Sequence, residues 1–255
     1  MNNLNDYDNA IVKKIRSGEI SYGAFLLSGS SFIAEAMASR ELDWIVIDME
    51  GSHATKENVL QILQALNAYA TLPIVRIGEH NRHMIEFSLD LGAKGIMAPK
   101  VDTSAQALQI LDACFYPPKG DRGMNCVRAS GFYLNSKQYL EKANYSVLTL
   151  FQIESRTSIE NIDSIAALEY VDILFVGMGD LSSSYGHSGN ILVPELAEAR
   201  KKVLQACIKY NKVPGIFAHA PELIHLYKEE GFRFIAVGND IKFLTAGISL
   251  CKKEM

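Results

Sequence analysis

The sequence predicts a parallel α/β barrel, a single (β/α)8 TIM barrel, and three observations lead there. Eight short apolar runs alternate with stretches of helical periodicity. The runs are nearly continuous in apolar character, as strands covered on both faces are. The 255 residues match the roughly 250 that such a barrel uses in one domain. An open doubly wound sheet is the rival, but it usually carries a G-x-G-x-x-G turn after its first strand. Ser28–Ser31 (SGSS) is too short for that, and no P-loop or G-x-S-x-G elbow occurs. One domain, residues 1–255, is expected.

The elements follow in order. The first strand is expected at Tyr22–Leu27 (YGAFLL) and the helix after it at Ser31–Ser39. The second strand is Trp44–Asp48 (WIVID), and its helix, Thr55–Ala68, carries apolar residues at i, i+3, i+4 spacing. Thr55 suits the N-cap, but Asn58 stands where a capping box has Glu, so an incomplete box is expected. Leu72–Ile77 is the third strand with helix Arg82–Leu91, and Gly95–Val101 the fourth with helix Ser104–Ala113. Tyr116–Tyr145 then reads as one long irregular stretch, rich in Pro and Gly at its start. A loop of that length inside a barrel is more often a functional insertion than a linker. The aromatic residues in Phe132–Tyr145 suit covering an adenine or packing on a neighbouring subunit, the second being the favoured use. Strands are expected at Val147–Glu154, Asp172–Gly177, Val213–Ala218 and Phe234–Gly238, and helices at Ser158–Ala167, Pro194–Tyr210, Ala220–Glu230 and Lys242–Lys252. Gly231 suits the position just past a helix end.

Composition narrows the function. Lys+Arg 25 against Asp+Glu 29, with no basic run, argues against nucleic acid and anionic membranes as partners. No apolar stretch approaches the roughly 18 residues of a membrane span. The N-terminal MNNLNDYDNAIVKKIRSGE lacks the apolar core of a signal peptide, so a cytoplasmic protein is expected. Cys114, Cys126, Cys207 and Cys251 form no C-x-x-C pair and no zinc-like spacing, and no role is assigned to them.

In a barrel of this kind, polar residues at the C-terminal strand ends face the active-site mouth. The second strand leads into Asp48 and Glu50, the third contains Arg76, the fifth Gln152 and Glu154, and Asp180 follows the sixth. Charges directly after apolar runs are costly to bury unless they pair or bind something. Any one of them is equally well explained as a strand-end ion pair or helix cap; their convergence on one barrel end is not. Glu154 and Asp180 are hard oxygen ligands, suited to Mg²⁺, Mn²⁺ or Ca²⁺. Arg76 offers a planar fork for a carboxylate or enolate. Arg122, between the glycines of KGDRG, is placed to contact an anionic substrate. These residues suggest an enzyme acting on a small polyanion, a keto acid.

The motifs are more specific. WIVIDME (Trp44–Glu50), PIVRI (Pro73–Ile77), LDLGAKGIMAPKV (Leu89–Val101), YPPKGDRG (Tyr116–Gly123), LFQIESR (Leu150–Arg156) and VGMGDLSSSYG (Val176–Gly186) run in one order along nearly the whole chain. Together they resemble the HpcH/HpaI (class II pyruvate) aldolases of the phosphoenolpyruvate/pyruvate barrel superfamily. The resemblance implies that Glu154 and Asp180 hold a divalent metal and that Arg76 steadies the pyruvate enolate and the acceptor carbonyl. It also implies that Gln152 lines the pocket and Asp90 works near a catalytic histidine. Arg122, Gly179 and Ser182 are the remaining candidate substrate contacts. A homo-oligomer, from dimer to hexamer, is implied, with the C-terminal helix exchanged between subunits.

One departure stands out. The aldolases carry D-x-E-H, whereas this segment reads Asp48-Met49-Glu50-Gly51-Ser52-His53. Glycine cannot move a proton. Either His53 reaches the site from two residues further on, or the chemistry has changed. DMEGSHAT and GMGDLSSSYGHSGN are similar to the siderophore-cluster citrate synthases of the staphyloferrin B type, a branch that retains the carboxylates but does not require the metal. That similarity implies condensation of oxaloacetate with acetyl-CoA, the cosubstrate, to citrate and CoA. Glu154 or Asp180 would then be the base and His53 or His187 the donor to the thioester oxygen, although Gly186–Gly189 is equally a plain turn. Citrate synthesis is the first expectation. A metal-dependent aldolase using His53 is the alternative, and an inactive oxo-acid sensor the third. His80, His83, His219 and His225 receive no role.

Overall fold

The computed structural model describes residues 9–253. Part of the N-terminal segment read above as lacking the apolar core of a signal peptide therefore lies outside the described residues. Eight parallel strands pair in chain order and close: β1 (Ser21–Leu26), β2 (Trp44–Asp48), β3 (Leu72–Arg76), β4 (Gly95–Ala98), β5 (Leu148–Ile153), β6 (Ile173–Val176), β7 (Val213–Phe217) and β8 (Phe234–Asn239), which returns to β1. The helices are α1 (Ala10–Arg16), α2 (Ser31–Ala38), α3 (Lys56–Leu66), α4 (Arg82–Asp90), α5 (Ser104–Cys114), α6 (Ser136–Ser146), α7 (Arg156–Glu160), α8 (Ile162–Ala166), α9 (Met178–Ser184), α10 (Pro194–Tyr210), α11 (Pro221–Glu230) and α12 (Asp240–Lys252). The expected (β/α)8 barrel is the one found. Among the described residues no helix is long and apolar enough to cross a membrane.

Strand side chains alternate between faces, so residues two apart line the barrel interior together. Trp44 and Val46, Leu72 and Ile74, Leu148 and Leu150, Ile173 and Phe175, and Phe234 and Ala236 form one buried interior cluster. Val12 and Ile15 of α1 join it and close the N-terminal end. The opposite strand faces meet the helices in a second, larger core. Trp44 stacks on Phe234 with centroids 3.8 Å apart. That stack needs Gly23, where a Cβ would lie 2.1 Å from the indole. Each interior side chain removed from water stabilises the fold by roughly 1.5–3 kcal/mol, so the barrel needs no staple. Cys114, Cys126 and Cys207 are free and buried.

Several expectations are corrected. The α3 capping box is complete, because Asn58 accepts from the Thr55 backbone just as a Glu would. The helix expected at Ser158–Ala167 is two short ones, α7 and α8, broken at Asn161, whose amide is drawn to the Asp102 carbonyl. The irregular stretch after β4 is a built unit: it contains α6 and a small core of Tyr116, Cys126, Ala129, Tyr139 and Ala143. Its centre is Arg122, whose side chain is only 1% exposed. Arg122 pairs with Asp90 at 2.6 Å, donates to the Tyr139 hydroxyl at 3.1 Å and lies over the Tyr116 ring. The KGDRG loop therefore turns its arginine inward as a strut and offers it to no substrate, and Asp90 is that strut's partner.

Candidate active site

The inward rows that are apolar through the barrel become polar at its C-terminal end. Trp44 and Val46 lead to Asp48, Leu72 and Ile74 to Arg76, and Leu148 and Leu150 to Gln152 and then Glu154. These residues line a cavity of about 170 Å³ together with Gly179, Asp180, His219 and Asn239, walled by Phe25, Phe175 and Phe217. It is smaller than the roughly 300–1,000 Å³ of a drug-sized ligand site, and suits a short acid.

Asp48 and Arg76 are register partners on adjacent strands, which sets up a two-point pair. Nε of Arg76 donates to Oδ1 of Asp48 at 2.9 Å, and Nη2 donates to Oδ2 at 2.5 Å. Asp48 is fully buried, and its Oδ1 also accepts the backbone N–H groups of Glu50 and Gly51. Nη1 of Arg76 lies 3.0 Å from Glu50 and donates to Gln152 at 3.4 Å. Of the five guanidinium N–H groups, one on Nη2 is left without a partner among the described residues. The arginine is thus fixed by protein and keeps one donor for a ligand.

Glu154 is held as tightly. Oε1 accepts the Lys100 backbone N–H at 2.7 Å and Oε2 accepts Nε2 of Gln152 at 3.1 Å. Lys100 adopts φ +51, a left-handed conformation that costs a non-glycine residue about 1 kcal/mol or more. Gly177 makes room for the carboxylate, since a Cβ there would lie 2.2 Å from Oε2. Burial pushes the Glu154 carboxyl up to about 7; the Lys100 N–H opposes this, and the Asp180 and Glu50 carboxylates add to it. Asp180 stands exposed in the first turn of α9, a short helix not expected from the sequence, which places Asp180 at the end of the sixth strand.

The structure therefore brings together Arg76, Gln152, Glu154, Gly179 and Asp180. It does not bring in the others. His53 is exposed and lies outside the cavity lining. Gly51, also exposed and outside the cavity lining, stands close to the Arg76–Asp48 pair: a Cβ there would meet Asp48 Oδ2 at 3.1 Å and Arg76 Nη2 at 3.2 Å. Ser182 is buried, and its hydroxyl donates to the Gly179 carbonyl and accepts from Gly189 N–H, so it shapes the loop after α9 instead of touching substrate. His187 sits in that loop, 3.8 Å from Glu195 and away from the cavity lining. His219, to which the sequence reading gave no role, does line the cavity. The signal was present: His219 continues the inward row Val213, Gly215, Phe217 by two residues.

Glu154 and Asp180 fit a divalent cation. They are hard oxygen donors at the cavity wall, and their mutual repulsion is relieved by a dication. No group of three or more His, Cys, Asp or Glu residues converges on a metal position among the described residues. Other positions of the cation's shell would fall to water and substrate, the usual habit of Mg²⁺.

A family model described as HpcH/HpaI aldolase/citrate lyase matches residues 21–246. A 2-dehydro-3,6-dideoxy-6-sulfogluconate aldolase from Pseudomonas putida is 36% identical over 222 residues, 87% of this chain and 87% of that protein. A 2-keto-3-deoxy-L-rhamnonate aldolase from Escherichia coli K12 is 34% identical over 233 residues, 91% of this chain and 87% of the other. Among solved structures, the citrate synthase SbnG superposes with a TM-score of 0.84 at 24% identity, covering 95% of this chain and 97% of that one. This last likeness shows the fold alone.

Proposed function

The chain belongs to the HpcH/HpaI aldolase/citrate lyase family, and from that membership we propose that it cleaves a 4-hydroxy-2-oxo acid to pyruvate and an aldehyde. The proposal includes a divalent cation on Glu154 and Asp180. This replaces citrate synthesis as the leading reading, since the two relatives described above, at 36% and 34% identity, are both aldolases and neither supports acetyl-CoA as a cosubstrate.

The observation that carries the proposal is the charge balance of the cavity. Its cation, Arg76, is already paired with Asp48 and Glu50 and acts on Glu154 only at longer range, while Glu154 and Asp180 form no ion pair among the described residues. An anionic oxo acid is repelled by such a surface until a dication joins it. Glu154 and Asp180 would hold the cation, which would supply Lewis-acid chemistry there. The free N–H of Arg76 is placed to donate to the 2-oxo oxygen and to stabilise its charge as the C3–C4 bond breaks. Gln152 holds both Arg76 and Glu154 in place, and Phe25, Phe175 and Phe217 keep water from the enolate.

Release of pyruvate from 2-oxo-3-deoxy sugar acids, coupled to lactate dehydrogenase, tests this. Turnover is expected with Mg²⁺ or Mn²⁺ and is expected to vanish in EDTA; turnover indifferent to chelation sinks the metal role. Citrate formation is the second reading, favoured by glycine at position 51, where the aldolase histidine is missing. The same preparation given oxaloacetate and acetyl-CoA should release no thiol if the aldolase reading holds.

We also propose a homo-oligomer. In α12 only Asp240 is buried, clamped by the backbone N–H groups of Leu27 and Ser28. Ile241, Phe243, Leu244, Ile248 and Leu250 are all exposed, Leu250 by 65%. A helix with so much unburied apolar surface suits packing on a second copy. Light scattering should give a mass above 28.2 kDa, and Leu244→Lys with Ile248→Lys should lower it. A wild-type monomer would overturn the idea.

A further inference from the structure

Position 51 poses a problem that the rest of the cavity answers. A proton must leave or join C3 of the pyruvate unit, and the β2 loop supplies glycine and an outward-facing His53. Among the described residues a single imidazole lines the cavity, that of His219 at the end of β7. We propose that His219 is the catalytic acid–base residue that exchanges the C3 proton of the pyruvate unit, a role that rests on the pyruvate-enolate reading above.

The geometry is specific. In a closed ring of eight strands, β7 stands opposite β3. A 2-oxo acid with its carbonyl oxygen toward Arg76 on β3 turns its remaining atoms toward β7. The ring of His219 rests against Phe217, centroids 4.9 Å apart, and its nitrogens make no hydrogen bond among the described residues. They are available to substrate, unlike those of a histidine spent on structure. The charged groups around it are Lys242 from α12, whose Nζ donates to the His219 carbonyl at 3.4 Å, and Asp180, Glu154, Asp48 and Arg76 across the cavity. His219 is exposed at the cavity mouth, yet desolvation by its neighbours, with Lys242 adding to it, lowers its pKa below the ordinary value. That direction favours the neutral imidazole, the form a base needs.

The step balances without a further reactant. In cleavage, neutral His219 takes the C4 hydroxyl proton, the C3–C4 electron pair passes into the enolate, and the aldehyde leaves. Imidazolium then gives a proton to C3, which forms the C–H bond of pyruvate and restores neutral His219. In reverse, neutral His219 takes a methyl proton and the C–H pair becomes the enolate double bond.

That reverse half-step can be read without knowing the aldehyde. The unaltered protein with Mn²⁺ and pyruvate in D₂O should exchange the methyl protons, followed by NMR. His219→Gln and His219→Asn should slow exchange by about 100-fold or more, while calorimetry shows oxalate, an enolate mimic, binding with affinity unchanged within about threefold. Two variants and the oxalate titration separate loss of a base from loss of fold. Undiminished exchange in a variant that binds oxalate overturns the role of His219 and leaves the aldolase reading standing. No exchange in the unaltered protein overturns both.

Discussion

Arg76→Ala is expected to lower kcat/KM for oxo-acid cleavage by about 10³-fold or more, with the barrel still folded. The size follows from what the guanidinium does. It holds one N–H toward the cavity in a site walled by aromatic rings, where a hydrogen bond to a developing oxyanion is strong because no water competes. The fold survives because Asp48, though fully buried, keeps the backbone N–H groups of Glu50 and Gly51. Loss of the two-point pair should therefore cost a few kcal/mol of stability, not the structure. Arg76→Lys is the sharper variant: an ammonium keeps the charge but cannot meet both Asp48 oxygens and still point a fixed donor at substrate. A loss of at least about 10²-fold is expected there too. Steady-state kinetics with a circular dichroism melt of each variant checks this, and an Arg76→Ala protein with near-normal kcat/KM would mean that the anion is bound elsewhere.

Much of this site was legible because barrel geometry converts position along a strand into position in space. Asp48, Arg76, Gln152 and Glu154 each end an apolar row, and that rule alone places them at one mouth. The same rule, applied with strict two-residue parity, also selects His219, which was overlooked because it follows Phe217 by two residues and stands beyond the strand's last ladder bond. Arg122 went wrong for a different reason. Flanking glycines suggest an exposed, flexible loop, yet nothing in the local sequence says that Tyr116, Tyr139 and Asp90, distant along the chain, will enclose the guanidinium. Ser182 likewise looks like a substrate hydroxyl until its partners Gly179 and Gly189 are known. Strand ends are set by local pattern, whereas burial of a loop side chain is set by tertiary contacts. The capping box at Thr55 shows the reverse: there the local chemistry was more permissive than the motif, since an Asn side chain reaches as well as Glu.

Glu154→Gln is expected to abolish metal-dependent turnover and to change how stability follows pH, and the two effects have one cause. The Glu154 carboxyl is pushed up to about 7 by burial, with Asp180 and Glu50 adding to it, against 4.5 in the unfolded chain. A folded-state value above the unfolded one means that the native state holds its proton more firmly. The stability this contributes is complete below pH 4.5 and is lost as pH rises through about 7. The gap corresponds to roughly 3 kcal/mol at most. The metal-free protein should therefore melt at progressively lower temperature from pH 5 to 8, and Glu154→Gln should flatten this relative to the wild type. A dication reverses the balance because it binds the ionised carboxylate and expels the proton. Mn²⁺ affinity should thus rise with pH up to about 7 in the wild type. It should fall by at least about 10²-fold in Glu154→Gln, with Asp180 then the lone carboxylate at the position. Titration calorimetry in buffers of different ionisation enthalpy reads both the affinity and the released proton. Mn²⁺ affinity and proton release unaltered by the substitution would remove Glu154 from the metal position, and with it the charge argument on which the aldolase reading depends.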